Sequence, residues 1–301
     1  MLRLLIYHCI LALAHALSGH AFSALRDLEL YWEDAECDDH SYDTASLLNA
    51  ETGIDELSVA LRTVAQLPSL QKLQLTGRFI VAPEIFQPIN SDSDSLSSKF
   101  PSLGVIKLHL SAMTPSGDWY YTGDPDSIEA SDERMYDSEE EEEVVDSADS
   151  ETEDYPAVWD WQKLNGQRPS HPWRNQPNPA TFDLFLRAMA LAIPHMPALR
   201  RVELRVGNAA GLLLETEFLA AGEKGTLFNQ QDTELVTFDE TFRNQSRWEI
   251  VLTNNNSAEG DSRTVWEISD DLKQAWKDST GSDDKSVIIV NGGSWGSRMP
   301  V

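Results

Sequence analysis

The segment Met196-Pro-Ala-Leu-Arg-Arg-Val-Glu-Leu204 has three counterparts elsewhere in the 301-residue chain. They are Phe22-Ser-Ala-Leu-Arg-Asp-Leu-Glu-Leu30, Leu67-Pro-Ser-Leu-Gln-Lys-Leu-Gln-Leu75 and Phe100-Pro-Ser-Leu-Gly-Val-Ile-Lys-Leu108. Each one has a leucine at its fourth position and aliphatic residues at its seventh and ninth positions. Because the last two aliphatic residues are two apart, they point to the same face of a strand. The repeat therefore predicts four strands that each bury one face.

Helical patterns precede three of these strands. Residues 55–66 and 181–193 each place apolar side chains on one stripe with helical spacing, and residues 2–17 hold the equivalent place before the first strand. A helix, a turn with proline or serine, and an L-x-x-L-x-L strand are typical of leucine-rich repeats. We predict an α/β fold, an irregular leucine-rich-repeat-like solenoid with a parallel sheet. The alternative is a set of unrelated βα units in a doubly wound sheet.

The positions between the aliphatic residues face the opposite side of each predicted strand. They are mostly polar, as the open face of a solenoid requires, so this face is the predicted site for a protein partner. The candidate residues on this strand face are Asp27, Glu29, Tyr31, Lys72, Gln74, Lys107, His109, Arg201, Glu203 and Arg205.

The formal net charge of −27 is concentrated in one stretch of the chain. Residues 118–154 contain 17 acidic residues and one arginine, and residues 137–154 read DSEEEEEVVDSADSETED. Such a segment is predicted to be disordered, either as a solvated spacer or as a target of acidophilic kinases at Ser138, Ser147 and Ser150. The overall charge repels phosphate backbones and anionic lipids, so we expect neither nucleic acid nor membrane as a partner.

The domain organisation follows from the repeats and this insert. We expect a first repeat region at 1–117, an acidic disordered insert with a Trp/Pro-rich loop at 118–176, a further repeat at 177–207 and a C-terminal capping region at 208–301. Aromatic residues flank the acidic run, at 119–121 before it and at Trp159, Trp161 and Trp173 after it. Packing over the edge of the solenoid is favoured for them, and a binding hot spot is the alternative.

Residues 1–23 allow two interpretations. The apolar run from Leu4 to Leu17 fits a repeat helix, which implies an intracellular protein of the cytoplasm or nucleus. It also fits a secretory signal peptide with cleavage after Ser23, and two sequons at Asn244 and Asn255 agree with that alternative. The chain would then be a secreted leucine-rich-repeat-like binding glycoprotein.

No catalytic or metal-binding signature occurs in the sequence. The chain lacks a G-x-S-x-G elbow, a phosphate-binding glycine loop and an H-E-x-x-H pair, and two cysteines make no zinc pattern. We therefore predict a protein that is not an enzyme and has no catalytic residue, cofactor or metal.

Residues 177–204 carry a resemblance to a known family. They read PNPATFDLFLRAMALAIPHMPALRRVEL, and with Gly117-Asp-Trp-Tyr-Tyr121 and the Trp266…Ala275-Trp276 ending they resemble fungal F-box-type proteins with degenerate leucine-rich repeats. The resemblance implies a substrate-recognition subunit of a cullin-based ubiquitin ligase, whose partners are proteins of unknown identity. The F-box, an N-terminal helical domain in that family, is absent from this chain.

Overall fold

A computed structural model gives the structure of most of the repeat-bearing chain. The described residues are 12–17, 22–32, 37–44, 46–87, 100–130, 162–163, 165–208, 210–225, 244–254, 268–280, 287–292 and 299–300. Of 253–254, 287–292 and 299–300 only the backbone is described. The acidic run 137–154, Trp159, Trp161, the sequon residue Asn255 and most of residues 1–23 lie outside the described residues.

The described residues include ten strands. They are β1 (Asp27–Trp32), β2 (Lys72–Phe79), β3 (Val105–Leu110), β4 (Tyr121–Thr122), β5 (Gln176–Pro177), β6 (Arg201–Gly207), β7 (Leu212–Leu219), β8 (Arg247–Asn254), β9 (Val287–Gly292) and β10 (Met299–Pro300). Eight of them form one sheet in the order β1-β2-β3-β6-β7-β8-β9-β10, and β4 pairs with β5.

The four predicted strands are confirmed as β1, β2, β3 and β6. They lie side by side, all parallel, and the equivalent leucines Leu30, Leu75, Leu108 and Leu204 are paired in register across the four strands. Because side chains alternate between faces, this register puts equivalent repeat positions in continuous rows. The apolar rows are buried apart from the half-buried Leu30, and the rows between them are exposed or half-buried apart from the buried Glu203.

The rest of the sheet makes the fold a mixed one. Strands β6, β7 and β8 are antiparallel, β9 returns parallel to β8, and β10 pairs antiparallel with β9. The apolar stretches 248–252 and 287–290 lie within β8 and β9. The chain is therefore an α/β protein whose first four sheet strands are all parallel.

Three helices begin at side-chain caps. These are α1 (Glu56–Ala65), α2 (Pro179–Ala192) and α3 (Asp270–Thr280). The Asp55 carboxylate accepts hydrogen bonds from the first-turn amides of α1, Asn178 Oδ1 accepts from Ala180 N–H, and Ser269 Oγ accepts from Leu272 N–H. Such caps satisfy amide donors that have no partner inside the helix. The helices predicted at 55–66 and 181–193 are confirmed within two residues.

The helices share one hydrophobic core with the apolar face of the sheet. Representative core side chains are Leu61 of α1, Phe182 of α2, Trp276 of α3 and, from the strands, Leu73, Ile106 and Leu204. Burial of each large apolar side chain stabilises the fold by about 2 kcal/mol. Residues 12–17 are also helical, and Ala14 and Leu17 are buried in this core. Among the described helices, none has the length and apolar character needed to cross a membrane.

The aromatic residues at 119–121 pack into the same core. Tyr120 and Tyr121 are buried, and their rings lie 4.9 and 5.3 Å from the ring of Phe182 in α2. The Tyr121 hydroxyl donates a hydrogen bond to the Val206 carbonyl at the end of β6. This segment therefore fixes the position of α2 against the carboxyl end of the parallel strands.

Candidate functional site

The polar face of the sheet carries a row of polar side chains, all charged except Gln74, that crosses six strands. The register places Glu29, Gln74, Lys107 and Glu203 side by side on β1, β2, β3 and β6. The antiparallel strands extend this row through Glu217 on β7 and Glu249 on β8. We call the side of the sheet that bears this row the polar face.

The polar face is open at its β1 end. Tyr31 is 68% exposed, and Glu29 is also exposed. The Gln74 Nε2 group donates to Glu29 Oε1 at 2.9 Å, and Lys72 Nζ lies 3.7 Å from Glu29 Oε2. Exposed pairs of this kind contribute little to stability, so these groups are available to a partner at small cost.

Glu203 is the centre of an ion-pair cluster in the middle of the polar face. Its carboxylate lies 3.5 Å from Lys107 Nζ, 3.3 Å from His109 Nε2 and 2.9 Å from Arg205 Nε, and Arg201 Nη2 is 3.6 Å away. Burial alone would raise the pKa of Glu203. The hydrogen bond with His109 and the attraction of Lys107, Arg205 and Arg201 outweigh burial and lower that pKa to about 2. Glu203 is therefore ionised at neutral pH, and it organises the four basic side chains around it.

The polar face is closed at its β8 end. Arg247 and Glu249 are buried and joined by a 2.7 Å ion pair, and Glu217 is buried beside Arg201. Residues 223–225 lie over this region, because Arg247 Nη1 donates to the Glu223 carbonyl and Gly225 approaches the Glu249 carboxylate. The charged groups at the β8 end are therefore paired inside the protein. The accessible part of the row lies on β1, β2 and β3.

All ten candidate residues lie on the one face, but their exposure differs. Asp27, Glu29 and Tyr31 are exposed and Glu203 is buried. The remaining candidates, Lys72, Gln74, Lys107, His109, Arg201 and Arg205, are half-buried. Sequence reasoning missed the acidic partners contributed by β7, although the alternation in Leu212-Leu-Leu-Glu-Thr-Glu-Phe-Leu219 is a strand signal that places Glu215 and Glu217 on one side.

A pocket of about 400 Å³ lies at the carboxyl ends of β2, β3 and β6. Arg78, His109 and Arg205 line it together with apolar side chains, which include Met113 and Trp119. In open parallel sheets, ligands bind outside the carboxyl ends of the strands, so the location is one that α/β proteins use for binding. Arg78 is a second residue that the repeat pattern did not single out.

Beside this pocket, His40 is buried within an aromatic cluster. Its ring centroid lies 5.0 Å from that of Trp119 and 6.4 Å from that of Trp173. The Arg174 backbone N–H donates to His40 Nδ1 at 2.8 Å, and the Arg174 guanidinium lies over both tryptophan rings. Burial, followed by repulsion from Arg174 and His171, lowers the pKa of His40 to about 4. The neutral imidazole is therefore part of the folded structure.

We expect the chain to lose stability as the pH falls from about 6.5 to 4. Above pH 6.5 His40 is neutral in both states, whereas below it the unfolded chain takes up a proton that the folded chain takes up only near pH 4. The full loss is on the order of 3 kcal/mol, reached below pH 4. Thermal unfolding of the wild type and His40→Gln between pH 7.5 and 4 measures this loss of stability. The His40→Gln variant should show a flatter profile, whereas the exposed His195→Gln control should follow the wild type; equal slopes for all three would contradict this assignment.

No group of three or more His, Cys, Asp and Glu side chains within the described part of the chain is arranged to hold a metal ion. Searches of protein-family models, curated proteins and solved structures find no match to this chain.

Proposed function

We propose that this chain is a non-enzymatic protein-interaction module, built as an irregular leucine-rich-repeat-like solenoid. The partner binds the polar face of β1, β2 and β3. Support comes from the four sequence repeats, which become four adjacent parallel strands in register, with their apolar rows in one core with the helices. In repeat architectures of this type the strand face is the binding surface.

The open β1 end of the polar face is the observation that carries the proposal. Tyr31 projects an exposed ring there, two residues beyond Glu29, whose contact with Lys72 is weak. Exposed aromatic side chains are common anchors of protein interfaces, and mixed charges beside them set specificity and orientation. The partner is accordingly a protein with an apolar pocket for Tyr31 and charges that complement Glu29 and Lys72.

The resemblance to F-box-type proteins suggests a biological role for the module. On that basis we propose that the module acts as the substrate-recognition part of an F-box ubiquitin-ligase adaptor. Residues 12–17 bear on its location, because burial of Ala14 and Leu17 in the core supports a repeat helix that is retained in the mature chain. We therefore propose an intracellular protein, with the secreted binding glycoprotein as the alternative.

Affinity purification of the full chain from its native cell tests the proposal. Three baits are compared: the wild type, Tyr31→Ala/Lys72→Glu on the polar face, and Leu184→Ala/Arg187→Glu on the exposed side of α2. Both double variants remove one exposed apolar side chain and reverse one basic charge, so they are matched. We expect the wild type and the α2 variant to retain the same partner and the polar-face variant to lose it.

The bound proteins and the N-terminal peptide of the bait are identified together by mass spectrometry. Cullin-ligase components with an intact residue 1–23 peptide would support the adaptor class. A new N-terminus near Ala24, with sugar on Asn244 or Asn255, would replace that class with the secreted glycoprotein. Equal recovery of the partner by both double variants would show that the partner does not bind the polar face.

A further inference from the structure

Three basic side chains form a second row at the carboxyl edge of the polar face. His109 of β3 pairs with Arg205 of β6, and Phe79 of β2 pairs with Leu110 of β3. Arg78 precedes Phe79 and therefore lies beside His109 on the neighbouring strand. Arg78, His109 and Arg205 thus follow one another across β2, β3 and β6, and all three line the pocket.

An irregularity in β2 creates this row. The register of β2 against β3 shifts between Leu75 and Phe79, and Gly77 adopts a φ of 107° inside the shifted segment. Such an irregularity re-aims the side chains that follow it, and it is common at binding edges of sheets. Here the shift leaves Arg78 on the polar face and moves it along the strand to the level of His109.

The lining of the pocket is partly basic and partly apolar. Ile80, Met113, Trp119 and Leu212 supply the apolar part, and none of the described lining residues is acidic. This is notable in a chain with a formal net charge of −27. A volume of about 400 Å³ falls in the range of small-molecule sites.

We propose that the pocket binds a small organic carboxylate, with the carboxylate paired to Arg78 and Arg205 and an apolar body against Met113 and Trp119. The planar guanidinium group suits bidentate hydrogen bonding to a carboxylate. The proposal goes beyond the protein-interaction function and does not depend on it. Arg78, Met113 and Trp119 are not among the strand-face candidates, and Arg205 lies on β6, outside the β1–β3 surface assigned to the partner.

The neighbouring acids favour a singly charged group over a phosphate. Arg205 already lies 2.9 Å from Glu203 and 3.0 Å from Glu215. Arg78 acts on the nearby Asp38 carboxyl, whose pKa it lowers against the larger, raising effect of burial. A second negative charge on the ligand would meet these carboxylates at short range, where like charges repel strongly.

Calorimetric titration of the full chain with a matched pair of probes tests the site. The probes are N-acetyl-L-phenylalanine and N-acetyl-L-phenylalaninamide, which share the apolar body and differ in charge, with inorganic phosphate as a third. We expect the acid to bind at least about tenfold more tightly than the amide, as expected for charge-assisted hydrogen bonds. The acid should also bind more tightly than phosphate.

Variants locate the binding in the pocket. Arg78→Gln should abolish the preference for the acid over the amide, Arg78→Lys should keep part of it, and Met113→Trp should block both probes by filling the apolar part. Lys72→Gln, a basic residue of β2 outside the pocket, should change nothing. Circular dichroism and thermal unfolding check that each variant is folded.

Three results would overturn the proposal: equal affinity for acid and amide, phosphate binding as tightly as the acid, or no heat with any probe. None of them bears on the polar-face variants, so failure of this site and failure of the protein-interaction proposal are separate outcomes.

Discussion

Gly77→Ala should destabilise the chain by about 4 kcal/mol, because two separate costs meet at this residue. Its φ of 107° lies in a region that residues with a side chain rarely adopt. A Cβ atom at this position would also lie 1.9 Å from the Trp32 carbonyl oxygen of β1, so the two strands would have to separate. Urea unfolding of the full chain, followed by tryptophan fluorescence and circular dichroism, measures the change.

Gly53→Ala is the matched control for this substitution. Gly53 also has a positive φ, of 66°, but an added Cβ would meet no atom within 4 Å. Its cost should stay near 1 kcal/mol, the strain of a left-handed conformation alone. A Gly77→Ala variant no less stable than Gly53→Ala would show that β1 and β2 are not held at this close approach.

Glu203→Gln should cost about 3 kcal/mol at neutral pH, because it removes the shared acid of a cluster of basic side chains. The substitution keeps the size of the side chain, so the lost charge is the cause. Because the pKa of Glu203 is lowered to about 2, its contribution is complete above about pH 4.5 and is lost between pH 4.5 and 2. The difference between wild type and variant in urea unfolding should follow that window.

Glu29→Gln makes the same change at the open β1 end of the same row. Glu29 is exposed and lies 3.7 Å from Lys72, so its loss should cost less than about 1 kcal/mol and should vanish at high salt. A similar loss of unfolding free energy in Glu29→Gln and Glu203→Gln would contradict the difference in burial between the two carboxylates.

The repeat pattern predicts the parallel half of the sheet well. The four matching segments give the strands, and the shared aliphatic positions give the register, because a slip of one residue would turn Leu75 or Leu204 toward solvent. The periodic apolar residues give the helices. These features depend on neighbours in sequence, so a single chain is enough to find them.

The ion-pair cluster, the closed β8 end of the polar face and the pocket depend on contacts that no local pattern encodes. β7 lacks the repeat. The ion pairs of its Glu215 and Glu217 with the arginines of β6 therefore depend on the pairing of the two strands, which the repeat does not predict. The closed β8 end likewise depends on residues 223–225 crossing the sheet. The position of Arg78 in the pocket follows from a register shift at Gly77, and a shift of this kind is visible only when the partner strand is known.

Site-specific photo-crosslinking in the native cell tests the central claim most directly, since it asks which surface touches the partner. A benzophenone side chain replaces Tyr31 on the polar face in one version of the full chain, and Leu184 on α2 in another; both positions are well exposed, at 68% and 63%. The protein-interaction account predicts a covalent adduct with a discrete partner from position 31 and none from position 184. Adducts from position 184 alone would contradict it and would place the interaction on the helical side of the molecule.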